Sequence, residues 1–157
     1  MNKLDHVAFI MDGNGRWGKK RNRSRNFGHL QGVKTVKKIV EISLKMQIPI
    51  ITFYVFSTEN WKRPRSEINF LFNLIKTYFT NEIKNVIKNN IKINIIGNSE
   101  NLPIPVNKIL KDTILKTKKN KKLIVNLAIN YGSRDEIVKS TNKILKQKKK
   151  ISINSVN

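Results

Sequence analysis

Asp12, Gly13, Asn14, Gly15 and Arg16 follow one another directly, Trp17 stands behind them, and Arg21, Arg23, Arg25 and His29 come soon after. A glycine-rich turn can aim backbone N–H groups at an anion, and nearby guanidiniums add charge and paired donors. Together they suit a diphosphate. A carboxylate in the same place would repel that anion unless a cation lay between them. Mg²⁺ takes one or two carboxylates and fills the rest of its octahedron with phosphate oxygens and water, so Asp12 is a candidate Mg²⁺ ligand. Taken alone, "DGNG" is also an ordinary turn composition.

Two further groups have polar chemistry at short spacing: Ser57, Thr58, Glu59, Asn60, Trp61 and Arg63, and later Asn130, Tyr131 and Arg134. The arginines of the chain all fall in or beside these three groups. Glu59 reads as a general base with Asn60 as its positioner. Asn is not basic, so a proton it helps to remove must leave through a water or through diphosphate oxygens. Trp17 and Trp61, each flanked by Arg or Lys, read either as buried anchors or as platforms for an organic ligand. In open α/β sheets ligands gather at the carboxyl ends of strands, so these groups need strands that end on them.

The apolar pattern supplies such strands. "HVAFIM", residues 6–11, is short, apolar and stopped by the glycine turn, as expected of a strand buried on both faces. From Gly28 to Met46 the residues Leu30, Val33, Val36, Val40 and Leu44 recur at helical spacing. Pro49 opens "PIITFYVF", a second strand that ends at Ser57. A helix from Pro64 or Ser66 to about Asn90 carries Ile68, Leu71, Phe72, Ile75, Phe79, Ile83 and Val86 on one face, with Phe70, Leu74 and Tyr78 in a row beside it. That wide face fits ordinary core or the wall of an apolar cavity. A third strand at 91–97, a helix at 105–118, a fourth strand "KLIVNLAIN" and a last helix from "SRDE" follow. Ser133 and Glu136 have capping-box spacing there, with Ile137, Val138, Thr141, Ile144 and Leu145 on one side. The predicted fold is α/β: a mostly parallel sheet flanked by helices on both faces, as a single domain over 1–157.

Lys and Arg number 32 against 10 Asp and Glu, a net charge of +22, which favours an anionic partner. Drift of the sequence toward Lys, Asn and Ile accounts for part of the lysine excess. The absence of cysteine excludes disulfides and thiolate metal sites. Asp5, His6 and Asp12 break the early apolar stretch, so no signal peptide is read there, and no apolar run approaches the roughly 20 residues that span a bilayer. The expected location is cytoplasmic, or peripheral at a membrane surface. Beyond the lysine run 146–150 comes only "ISINSVN".

In "HVAFIMDGNGRW", "FGH" at 27–29, "FSTENWKRP" from Phe56 to Pro64 and "NYGSR" from Asn130 to Arg134, the chain resembles the cis-prenyltransferases, the undecaprenyl diphosphate synthase or isoprenyl transferase family. The resemblance runs from residue 4 to about 145. It implies condensation of isopentenyl diphosphate onto an allylic diphosphate, such as farnesyl diphosphate, to extend a cis-polyprenyl chain with Mg²⁺ as cofactor. It implies a homodimer whose product is a membrane lipid precursor, and no nucleic-acid partner. By similarity Asp12 is the Mg²⁺ ligand and catalytic carboxylate. Gly13, Asn14, Gly15, Arg16, Arg25 and His29 would cradle the allylic diphosphate, while Trp17, Ser57, Thr58 and Glu59 line the substrate site. Asn60 matches the family's proton-accepting position, with Trp61 and Arg63 beside it. The helix after Pro64 would wall the tunnel for the growing chain.

The chain departs from the family pattern in two ways. Ser133 replaces a usual glycine in "NYGSR", and the late segment of the form R-T-G-G-E, R-x-S-x-F and W-Q does not occur before Asn157. The resemblance therefore covers the first two thirds of such an enzyme. An alternative reading is a non-catalytic subunit or binding module of a prenyltransferase complex. Nucleic-acid binding rests on charge alone.

Overall fold

In the computed structural model, which describes residues 4–99 and 101–146, the first apolar run becomes β1 (His6–Ile10) and stops at the glycine turn. Asn14–Lys19 then forms a short helix, α1, where composition alone reads as a turn. Ser24 caps α2 (Arg25–Lys45), its Oγ accepting the Phe27 N–H at 3.1 Å, so this helix starts three residues before the expected Gly28. β2 (Ile50–Ser57) follows, then a 3₁₀ turn (Thr58–Lys62), α3 (Arg65–Lys88), β3 (Ile91–Ile96), α4 (Ile104–Thr117), β4 (Leu123–Tyr131) and α5 (Ser133–Lys146). The lysines beyond Lys146 and the tail "ISINSVN" lie outside the described residues. Among the described residues no helix is long and apolar enough to cross a membrane.

All four strands run parallel in the order β1-β2-β4-β3, giving the expected parallel α/β sheet, with α2, α3 and α4 packed into one core on its apolar face. The register lines up Val7, Ile51, Val125 and Ile93 in one row and Phe9, Phe53, Leu127 and Ile95 in the next, so one sheet face is continuously apolar. Ile51, Phe53 and Ile129 are fully buried there, and Phe9 stacks on Phe53 at 5.3 Å. α2 covers this face with Val36, Ile39, Val40 and Leu44, α3 with Ile68, Phe72, Phe79 and Val86, and α4 with Val106 and Leu110. Leu30, placed on the apolar stripe of α2 by spacing, is instead exposed.

β1 is not buried on both faces. It pairs only with β2 among the described residues, and Ile10 is 81% exposed, because an apolar run does not say whether its strand lies inside or at the edge of a sheet. The face opposite the core carries a polar row. Thr52 Oγ1 lies 2.7 Å from His6 Nε2 and accepts the Asn126 Nδ2 hydrogen at 3.2 Å, while Asn126 Oδ1 accepts from Asn94 at 3.2 Å.

α5 also differs from expectation. Ser133 is already helical, and the Glu136 N–H donates to the Gly132 carbonyl, so the Ser133–Glu136 capping box does not form. Its apolar residues Ile137, Val138 and Leu145 are exposed.

Two glycines of α2 seat α1. A Cβ on Gly28 would collide with the Asn14 carbonyl oxygen, and one on Gly32 would meet the Asn14 side chain at 2.7 Å. The loop that ends β1 is thereby held against the first two turns of α2. Gly28→Ala is expected to destabilise the chain by about 1–3 kcal/mol, read as a lowered urea midpoint, since backbone rather than a flexible side chain must yield.

Candidate diphosphate and prenyl-chain site

The carboxyl ends of β1, β2 and β4 open onto a cavity of about 590 Å³. Asp12 and Asn14 leave β1 at its rim. Ser57, Thr58, Glu59 and Asn60 enter from β2 and the 3₁₀ turn, Arg63 from the segment before α3, and His29 from α2. The opposite end is apolar, formed by Val33 and Val36 of α2 with Leu71, Leu74, Ile75 and Tyr78 of α3. Between Glu67 and Tyr78 α3 rises about 16 Å, so the apolar wall is long enough for an extended hydrocarbon. Leu74 and Tyr78 thus line the cavity as the row beside the core predicts. Phe70 does not. Burial, together with the charges of Glu82 and Glu41, pushes the Tyr78 hydroxyl up to about 12, so it stays neutral in the cavity wall.

At the rim the Asp12 carboxylate accepts from Arg16 at 2.9 Å and from the Gly13 N–H. It is two-thirds exposed, so these contacts leave it reachable from solvent. Gly13 has φ 85°, a left-handed conformation that costs other residues about 1–2 kcal/mol. In this state its N–H turns back to Asp12 and does not point outward, contrary to the simple picture of a turn with all N–H groups free. Among the described residues no set of three His, Cys, Asp or Glu groups could enclose a metal. A single hard, exposed carboxylate fits Mg²⁺ only where a ligand supplies the remaining oxygens, as a diphosphate does.

Behind the rim lies a residue that the sequence reading overlooked. Glu67, 7% exposed in the first turn of α3, accepts from Arg25 Nε at 3.0 Å and from Arg63 at 3.1 Å. His29 Nε2 is 3.0 Å from the same carboxylate. Burial alone would push the Glu67 carboxyl up. Hydrogen bonds from Arg25 and His29, with the charges of Arg25 and Arg63, outweigh it and hold the carboxyl below the ordinary carboxylate range. An ionised carboxylate only accepts, so His29 carries its proton on Nε2. One buried anion therefore sets the direction of two guanidiniums and an imidazole. The available signal was an acid four residues after Arg63, in a segment otherwise basic and in a chain poor in acids.

The other expected site residues divide in two. Asp12, Asn14, His29, Ser57, Thr58, Glu59, Asn60 and Arg63 come together on the cavity wall, whereas Gly13, Gly15, Arg16, Arg25, Trp17 and Trp61 do not line it. Arg25 stands one layer back, with Gly15 against its guanidinium. Trp61 donates Nε1–H to Asn130 Oδ1 at 2.8 Å and packs edge-on against Phe56 at 5.2 Å, so it anchors the 3₁₀ turn to the end of β4. Asn60 Oδ1 accepts the Ser57 N–H at 3.1 Å, which fixes that turn from within. Arg134 is exposed on α5 and Trp17 faces outward.

The undecaprenyl diphosphate synthase model of the prenyltransferases matches residues 10–157. The chain belongs to this prenyltransferase family. An isoprenyl transferase of Fusobacterium nucleatum is 45% identical over 92% of the chain and 63% of its own length. One of Clostridium tetani is 44% identical over 97% of the chain and 60% of its own length. A lavandulyl diphosphate synthase from Lavandula x intermedia, solved in complex with dimethylallyl diphosphate, superposes with a TM-score of 0.87 at 28% identity, over 91% of the chain and 61% of that enzyme. The chain thus spans about three fifths of the length of the curated relatives it matches.

Proposed function

We propose that this prenyltransferase binds an allylic diphosphate such as farnesyl diphosphate, with Mg²⁺, and serves the condensation of isopentenyl diphosphate onto it to build a cis-polyprenyl diphosphate. The observation that carries this reading is one cavity with a cationic, carboxylate-bearing rim and a long apolar interior. The head group would sit between Asp12, Asn14, His29 and Arg63, and the hydrocarbon would run along α3 toward Tyr78. The complex of the lavandulyl diphosphate synthase with an allylic diphosphate supports the same class of ligand.

Breaking the allylic C–O bond leaves a delocalised carbocation and concentrates charge on the departing diphosphate. Arg63, held in place by Glu67, and Arg25 behind it stabilise that charge without having to reorient. When bound at Asp12, Mg²⁺ adds Lewis-acid neutralisation of the same oxygens. The new C–C bond forms at the terminal alkene carbon of isopentenyl diphosphate, and the proton then lost passes to water or to a diphosphate oxygen near Asn60, whose amide orients but does not accept it. The working form would be a homodimer in the cytoplasm, peripheral at the membrane that receives the product. In the alternative reading, a non-catalytic binding module, the same cavity holds the lipid without turnover.

Calorimetry tests the proposal. Farnesyl diphosphate should bind in a Mg²⁺-dependent manner and isopentenyl diphosphate only weakly, since no second diphosphate cradle accompanies the first among the described residues. Equal, tight binding of isopentenyl diphosphate would overturn that assignment, and no heat with farnesyl diphosphate would overturn the whole reading.

A further inference from the structure

Trp17 belongs to the motif that carries the family resemblance, yet the fold turns it away from the cavity. It is 39% exposed and stacks on Phe27 across α1 and α2, with ring centroids 6.1 Å apart. The Arg21 guanidinium lies 4.0 Å from the Trp17 ring centre and that of Arg23 lies 5.8 Å from the Phe27 ring. Lys19 and Lys20 are exposed beside them. Among the described residues none of these four cations takes part in a salt bridge. Between Asp12 and Glu41 the sequence holds nine Lys or Arg and no acid; Arg16, Arg25 and Lys37 pair with Asp12, Glu67 and Glu82, whereas the four cations of this face meet no acid among the described residues.

We propose that this face, Trp17 and Phe27 with Lys19, Lys20, Arg21 and Arg23, docks on an anionic bilayer surface. Indole rings favour the boundary between hydrocarbon and head groups, where the ring is desolvated and the N–H stays hydrated. Each Lys or Arg close to an anionic membrane raises partitioning by about fivefold. The surface adjoins the loop that bears Asp12. The choice of a bilayer over another polyanion rests on the reading of the cavity as a prenyl-chain site: a polyprenyl product with a long hydrocarbon tail is released into lipid rather than water.

Co-sedimentation of the purified chain, with no diphosphate present, tests it. Vesicles of equal phosphatidylcholine and phosphatidylglycerol should pellet the protein at low salt and release it at high salt, while phosphatidylcholine alone should not pellet it. R21E/R23E should weaken partitioning by roughly 25-fold or more. K19E/K20E, on the exposed end of α1, should do the same and serves if the first pair fails to fold. Brominated lipid should quench wild-type emission, and W17F should lose that quenching. Unchanged binding in a folded charge-reversal variant would overturn the proposal, as would indifference to vesicles alongside duplex DNA binding at the same salt. Farnesyl diphosphate calorimetry without vesicles is read separately, so failure of the cavity reading and failure of the docking surface remain distinct.

Discussion

Asp12→Ala is expected to abolish the Mg²⁺ dependence of farnesyl diphosphate binding and to weaken that binding in Mg²⁺ by at least about a hundredfold, since losing even an indirect metal partner costs 10–100-fold. Stability should hardly change. Asp12 is two-thirds exposed, and an exposed ion pair such as Asp12–Arg16 contributes about 0–1 kcal/mol. Calorimetry with and without Mg²⁺, paired with a urea titration, separates the two effects. Persistence of full Mg²⁺ dependence in the variant would remove Asp12 from the metal site. Asp12→Asn makes the control, because it keeps the size and one acceptor oxygen but withdraws the charge that a divalent ion needs.

Glu67→Ala should act in the opposite way, with a large effect on folding. It strips the shared acceptor from Arg25, His29 and Arg63, leaving buried donors unmet beside two charges. Breaking a fully buried pair costs 3–5 kcal/mol. Arg25 is 41% and Arg63 30% exposed, so water relieves part of that and the expected loss is about 2–4 kcal/mol. Diphosphate affinity should move less, because deleting a negative charge near the rim and loosening the guanidiniums oppose each other. The pH dependence follows from the lowered pKa. A carboxyl whose folded pKa is depressed contributes stability that is present above the unfolded pKa and lost as pH falls through the folded one. The urea-midpoint gap between wild type and Glu67→Gln should therefore be full at neutral pH and close on acidification below the ordinary carboxylate range. A gap that stays constant into acid would mean that Glu67 is not ionised in the fold.

Both predictions concern acids, and the sequence reading found only one of them. Asp12 was legible because a carboxylate inside a run of glycines and arginines conflicts with its neighbours, and that local conflict points to a cation. Glu67 was not. Its partners Arg25 and His29 lie 42 and 38 residues away, and nothing local pairs them. Trp17 shows the converse. Asp12 and Asn14 of the same motif line the cavity, but the Trp17 indole lies on the outer side, stacked on Phe27. Phe70 and Leu74 share a helical row, and only Leu74 reaches the cavity, because the wall is set by where α2 and the sheet face α3.

What the amino-acid order determined alone was what depends on near neighbours: strands from short apolar runs, helices from spacings of three and four, the turns between them, and the polar groups that must lie where strands end. The parallel sheet followed, since alternating elements admit few other packings. Tertiary structure decided what depends on distant segments meeting: the strand order β1-β2-β4-β3, the open face of β1, the Glu67 cluster and the outward turn of Trp17. Hydrophobic periodicity fixes which side of an element avoids water, whereas contacts across tens of residues are chosen by the packing of the whole core, which no local pattern encodes.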